Sequence, residues 1–441
     1  MSLSSLAAVV LGGTLLVDGG AGDPSAPRTA IYLGATLIDG KTAGGRSGVA
    51  LVTRGERIVA VVDAADAGVA GPGAEVVDVS GKFIVPGLVN SHVHLATEGD
   101  AVSARAYLRR ELYSGVTAVR DMAGDARLLA ELQREASAGE IVAPDVFYAA
   151  VMAGPGFFAD PRTHSSTVGL VAGEAPFMRA VTSRTNLPLA VAEARGTGAT
   201  GVKLYAELPA SLVRAITAEA HRQHMEVWAH AYLHPAKPSE VVAAGVDVLS
   251  HACLLGFELS PGRPPLGGES GRVPTERAMQ PGAGLSRLFD EMRRRGSILD
   301  ATLSIYDRFD DPATRRCAPG VADHIVRAAH QAGVSISVGT DDDPDWRDPD
   351  STLDVELEYL VRRAGMTPRE ALEAATVVGA RTLGRERDLG TLEPGKLASF
   401  VVLGANPLED ISNIRRVEVV VKRGVRHPRS EYAPLTGPPR Q

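Results

Sequence analysis

From residue 85 to residue 385 the chain alternates short apolar runs with amphipathic stretches, and that alternation limits its fold more than any other feature. Eight runs carry it: LVNSHVHL (88–95), VTAVRDM (116–122), DVFYAAVMAG (145–154), GVKLYAE (201–207), EVWAHAY (226–232), VDVLSHA (246–252), SILDATLSI (297–305) and VSISVGTD (334–341). Between them, stretches such as SARAYLRRELYSG, PASLVRAITAEAHRQH and VADHIVRAAHQAG read as helices, several ending at a Gly suited to a helix C-cap. Such repetition builds parallel βαβ units. Eight units in roughly 290 residues match a closed (β/α)8 barrel. A doubly wound open sheet is the alternative, but no Gly-rich phosphate turn follows the first strand.

The flanks have a different texture. AIYLGATLID, GVALVTRGERIVAVV and AEVVDV are β-branched runs broken by Gly and predict an antiparallel meander; GKLASFVVL and RRVEVVVKRG repeat the pattern near the C-terminus. The expected organisation is α/β: a small β-sandwich made of residues 29–84 and 386–430, a barrel over residues 85–385, and a tail at 431–441. Residues 1–28 hold an apolar run from Leu6 to Val17 and then a Gly-, Pro- and Ala-rich stretch, like a signal peptide. The first basic residue is Arg28, so the positive n-region is missing, and a disordered tail or mis-set start is the plainer reading. The cytoplasm is the expected compartment, with export the alternative if residues 1–28 are cleaved.

An apolar fraction of 44% and a charged fraction of 22% describe an ordinary globular protein. The net charge of −7 offers no broad attraction for nucleic acid or anionic membrane, so the expected partner is a small molecule, with room for a homo-oligomer. Cys253 and Cys317 lie too far apart for a local zinc motif and are too few for a disulfide framework.

His92 and His94 are two apart on a predicted strand, so their imidazoles share a face, inward in a closed barrel. His230 and His251 end the fifth and sixth runs. Four histidines at three strand ends on the active rim of a barrel are better explained as metal ligands than as core. Asp341 ends the eighth run and could supply a carboxylate for metal and proton, with a strand-terminating cap as the alternative and Asp342 and Asp343 beside it leaving the position open by one. Lys203 lies in the fourth run: an ordinary salt bridge is one reading, and a neutral amine that captures carbon dioxide as a metal-bridging carbamate is the other.

The segments PGLVNSHVHL, GVKLY, VWAHA, VLSHA and SVGTD, with the closing DLGTLEPGKLASFVVLGANPLEDISNIRRVEVVVKRG, resemble the amidohydrolase superfamily over nearly all of residues 29–427. LYSGVTAVRDMAG and AHRQHMEVWAHAYLHPAKPSEVVAAGVDVLSHA resemble its prolidase-like and imidazolonepropionase-like branch. The resemblance implies two divalent metals, zinc favoured: His92, His94 and Asp341 on one, His230 and His251 on the other, and carboxylated Lys203 on both. It further implies attack by a metal-bridged hydroxide, with Asp341 as general base and then acid, on a C–N bond of a small amide such as a dipeptide or N-acyl amino acid. Two departures stand out. Ser399 replaces the closing segment's usual acidic residue, and the glycine-histidine loop after the third strand is here AGPGFFADPRTH.

Leu233 occupies the position where mononuclear deaminases and cyclic-amide hydrolases of the superfamily carry Glu. A lactonase would use the same ligands, and a non-catalytic barrel acting as a binding protein is the competitor from another class. Residues 153–187 and 255–281 are too long for simple connections and predict binding loops or lids, with disordered insertion as the alternative. Arg162 and His164 are candidates for a substrate carboxylate. Tyr205 and Tyr232 each follow a candidate ligand by two residues; either suits an oxyanion, with Tyr232 preferred as the catalytic donor.

Overall fold

The computed structural model describes residues 28–42, 44–265, 271–280, 284–308, 316–342 and 351–434. The signal-peptide question, Asp343 and most of the C-terminal tail lie outside the described residues. No helix among those described is long and apolar enough to cross a membrane.

Eight parallel strands form the barrel: Leu88–Val93, Val116–Asp121, Asp145–Ala153, Gly201–Leu204, Glu226–His230, Val248–Ser250, Ile298–Asp300 and Ser335–Ser337. All eight coincide with the apolar runs. Each pairs with the next in chain order, and the ring is closed by backbone bonds from Ser91 N to Val338 O (2.8 Å) and Asp341 N to His92 O (2.9 Å). Strands sandwiched between a filled interior and a layer of helices are buried on both faces, which is why they read as unbroken apolar runs.

The helices follow local rules. In Ala101–Tyr113, the Asp100 side chain accepts from the amides of Val102 and Ser103, satisfying two orphan donors at the N-terminus. Ala104, Tyr107, Leu108 and Leu112, at i, i+3, i+4 and i+8, lie on its buried stripe. Gly115, at φ 101°, then turns the chain into the second strand.

The flanking segments form two sheets. One orders Arg57–Asp63, Val49–Arg54, Thr29–Leu33 and Glu75–Asp78; the other orders Val425–Pro428, Val417–Lys422, Phe400–Leu403, Phe83–Pro86 and Thr36–Leu37. Tyr32, Leu51 and Ile58 of the first pack against Leu37, Ile84, Phe400 and Val421 of the second, so both ends of the chain share one core. Tyr32 meets Phe400 edge-on at 4.9 Å. The expected meander is only partly antiparallel: Glu75–Asp78 lies parallel to Thr29–Leu33, because a 3-10 segment, Ala64–Ala70, carries the chain back across the sheet first.

Two further features lie beyond the sequence reading. Cys253 and Cys317 are disulfide-bonded across 64 residues, a pairing that no local spacing announces. Residues 153–187 are not a structureless insertion. The nine-residue third strand outgrows its neighbour, and Met178–Ala180 pairs with its upper half as an extension of the wall. The second long connection begins as a 3-10 segment, Ala252–Leu259, and residues 266–270 and 281 of it lie outside the described residues.

Candidate metal centre

The strand ends bring the histidines together at the C-terminal rim. The His92 ring centroid lies 5.4 Å from that of His94 and 4.9 Å from that of His251, which lies 4.7 Å from His230. The Asp341 carboxylate closes the group: Oδ1 is 2.9 Å from His94 Nε2 and 3.2 Å from His92 Nε2, and Oδ2 is 3.8 Å from His251 Nδ1. His92, His251 and Asp341 each offer one ligand atom, all within 4.8 Å of one another. This resolves the neighbouring-carboxylate question among the described residues, since Asp342 is hydrogen-bonded by Thr352 instead.

Lys203 fills the barrel beneath this group. It is wholly buried, and among the described residues its Nζ has no hydrogen-bond partner, nor has His230 Nδ1. The salt-bridge reading of Lys203 therefore has no counterpart among the described residues. Orphaned buried polar atoms are rare and costly, and two of them face a cluster of imidazoles. The backbone is unusual here as well. His251 (φ 72°), Thr302 (φ 47°) and Asp341 (φ 54°) occupy the left-handed region, where side chains other than glycine are strained.

The other ring nitrogens have protein partners. Asp300 Oδ2 accepts from His92 Nδ1 at 2.8 Å, the Ala123 carbonyl accepts from His94 Nδ1 at 3.3 Å, and His251 Nδ1 is hydrogen-bonded to Thr302 Oγ1 at 3.0 Å. Such bonds set the tautomer and decide which nitrogen faces a metal.

Burial, opposed only partly by Asp341, brings the His251 imidazole down to about 3. Burial with the Lys203 charge holds His230 well below its ordinary value. Burial also brings the Lys203 amine down to about 7. For Asp341, burial works the other way, but the imidazoles of His92 and His251 hold its carboxyl well below the usual range. His230 and His251 are thus neutral imidazoles, Asp341 is an anionic carboxylate, and the Lys203 amine is partly neutral near pH 7. Neutral imidazoles and an anionic carboxylate are the protonation states that a divalent metal requires, and the orphaned His230 nitrogen fits such a donor set.

Tyr205 lies against the candidate ligands, its ring 4.1 Å from His230 and stacked on Phe157 at 4.4 Å. Tyr232 does not serve as expected. Its hydroxyl donates to the Pro264 carbonyl at 2.7 Å and its ring stacks on Phe257 at 4.5 Å, because the strand stops at His230 and the alternation of faces ends there. Arg162 is paired with Asp160 at 2.7 Å and 64% exposed, yet its charge reaches Tyr205; His164 is exposed. Sequence reasoning missed Asp300, Arg120, Ser250 and Thr302. An acidic residue inside the apolar run SILDATLSI was the available signal.

A model described as the amidohydrolase family matches residues 83–426. The chain belongs to that family. Ochratoxinase from Aspergillus niger is 38% identical over 95 residues, 21% of this chain and 19% of that protein. Imidazolonepropionase from Anaeromyxobacter dehalogenans is 28% identical over 401 residues, 86% of this chain and 90% of that protein. The match spans only about a fifth of the length of several curated relatives, the ochratoxinase among them. Among solved structures, a Xaa-Pro dipeptidase with bound methionine superposes with a TM-score of 0.70 at 23% identity, covering 91% of this chain and 100% of that one. The A. niger ochratoxinase structure gives 0.71 at 22% identity, covering 93% and 98%. At these identities the structural likeness is one of fold.

Proposed function

We propose that this amidohydrolase-family chain is a metal-dependent hydrolase that cleaves the C–N bond of a small amide such as a dipeptide or N-acyl amino acid. One observation carries the reading: three histidines meet one aspartate at the rim of the barrel, beside a buried lysine and a fourth histidine, whose Nζ and Nδ1 respectively have no hydrogen-bond partner among the described residues. Hydrolases named for C–N substrates among its relatives support the same class.

His92, His94 and Asp341 would hold one divalent ion, His230 and His251 a second, and Lys203, carboxylated on its neutral amine with loss of a proton, would join them. Bound zinc or a similar ion supplies an acidified water and a polarised carbonyl. The remaining steps belong to the chain. Asp341, anionic and central, accepts the proton of the attacking water and delivers it to the leaving nitrogen, which must be protonated before the amide breaks. Tyr205, beside His230, is the better placed of the two tyrosines to meet the developing oxyanion. The fully buried Leu233 offers no second proton carrier beside His230.

The test is a panel of dipeptides, N-acyl amino acids and lactones, assayed with metal-reconstituted protein before and after chelation. The reading expects amide turnover that chelation abolishes and metal restores. Lactone turnover without amide turnover would replace it with an esterase, and metal binding with no turnover on any member would leave a binding protein.

A further inference from the structure

We propose that Asp300 is a positioning residue for His92, fixing its tautomer and ring orientation through a buried anchor shared with Arg120 and Ser250. Asp300 is completely buried at the end of the seventh strand, next to the ring cluster. One oxygen, Oδ2, accepts from His92 Nδ1 at 2.8 Å, Ser250 Oγ at 2.9 Å and Arg120 Nη2 at 3.3 Å. With a guanidinium beside it the carboxylate stays an acceptor. His92 must therefore carry its proton on Nδ1 and present Nε2, the atom 3.2 Å from Asp341, to the site.

The anchor is itself fixed. Arg120, also fully buried, donates to Ser91 O at 2.6 Å and Thr382 O at 3.3 Å and lies 4.8 Å over Trp228, whose Nε1 donates to the same Thr382 carbonyl at 3.0 Å. Five strands of the barrel and the helix Val377–Thr382 thus meet around one carboxylate. An independent observation points to the same pair. A Cβ at Gly339 would lie 2.5 Å from both Asp300 Oδ1 and His92 Cβ, so the chain just past the eighth strand is bare where these two side chains meet. His94 and His251 use Nδ1 on neutral groups, whereas His92 is polarised by an anion, which strengthens an imidazole as a ligand.

This inference rests on the metal-centre reading above. The test is Co2+ titration of chelator-stripped full-length protein, followed by the visible spectrum of the bound ion, for wild type, Asp300→Asn and Ser250→Ala, with circular dichroism and melting of each. Asp300→Asn is expected to weaken Co2+ binding about 10- to 100-fold and to change the spectrum. Ser250→Ala, which keeps the anion, should weaken binding by a smaller factor with its melting unchanged. A folded Asp300→Asn with wild-type affinity and spectrum overturns the proposal. If that variant does not fold, wild-type behaviour of Ser250→Ala overturns it. Wild-type protein that takes up no Co2+ overturns the metal-centre reading and the positioning role together, whereas normal wild-type binding with unaffected variants sinks the positioning role alone.

Discussion

Two lysines are buried in this molecule, and their surroundings are opposite. Lys422, 6% exposed in the strand Val417–Lys422, sits on the seam between sandwich and barrel; its Nζ is 3.0 Å from Asp145 and donates to the Ala136 carbonyl at 2.7 Å. Arg423 reaches the same carboxylate at 3.0 Å. Lys203, inside the barrel beneath the ring cluster, is buried at least as deeply, yet its amine has no hydrogen-bond partner among the described residues. Burial lowers both amines, but at the seam Asp145 opposes the shift at close range, while Lys203 comes down to about 7. Burial alone is therefore a poor marker of function. A buried charge that the fold compensates holds two parts together, and one left uncompensated is better explained by chemistry that completes it.

The largest expected effect separates the two. Lys203→Met should lower amide turnover by on the order of 10³-fold, about 4 kcal/mol of transition-state stabilisation, and deplete bound metal. Melting of the metal-free variant should be no lower than wild type, since an unpaired buried amine has been removed. Lys422→Met should do the reverse. Leaving Asp145 with Arg423 alone should cost about 2 kcal/mol in a denaturant titration, with metal content and turnover unchanged. Loss of stability in the first or of turnover in the second would break the contrast.

The foot of the barrel sharpens it with pH. Burial lifts the Glu226 carboxyl from 4.5 to about 7, with the Asp247 charge adding to the effect. Between those values the unfolded chain releases the proton first, so stability falls as pH rises from about 4.5 to about 7 and stays reduced above. Glu226→Gln should raise stability by about 1 kcal/mol near pH 8 and leave it unchanged near pH 4. The smallest effect has the opposite pH sense. A hydrogen bond to Asp247, 2.8 Å away, raises the His221 imidazole. Its contribution is present below about pH 6.5 and lost as pH rises through the raised value. The side chain is 41% exposed, so His221→Gln should cost only a few tenths of a kcal/mol at about pH 5.5 and nothing at about pH 9.

These contrasts also mark what the sequence could convey. All eight barrel strands were legible because double-sided burial imposes continuous apolar runs, and the convergence of His92, His94, His230, His251 and Asp341 followed from their places at strand ends. Lys203 was legible as a residue but not as an unpartnered one, because partners are set by side chains distant in sequence. Tyr232 was misjudged for a geometric reason: counting by twos holds only while the strand continues. For Arg162, an acid two residues before it provides a local partner that no argument about loop length anticipates. Asp300, the Cys253–Cys317 bond and the parallel placement of Glu75–Asp78 depend on contacts between segments, for which one sequence carries no periodic signal.

In the proposed function, the unpartnered Lys203 amine would carry a carbamate between two metals. That role is tested most directly by reconstituting the stripped protein with zinc and 13C-labelled bicarbonate, then measuring metal content and the carbon spectrum. The account predicts two equivalents of zinc and a carbamate resonance absent from Lys203→Met. One equivalent or fewer, with no such resonance in wild-type protein that still turns over amides, would contradict it.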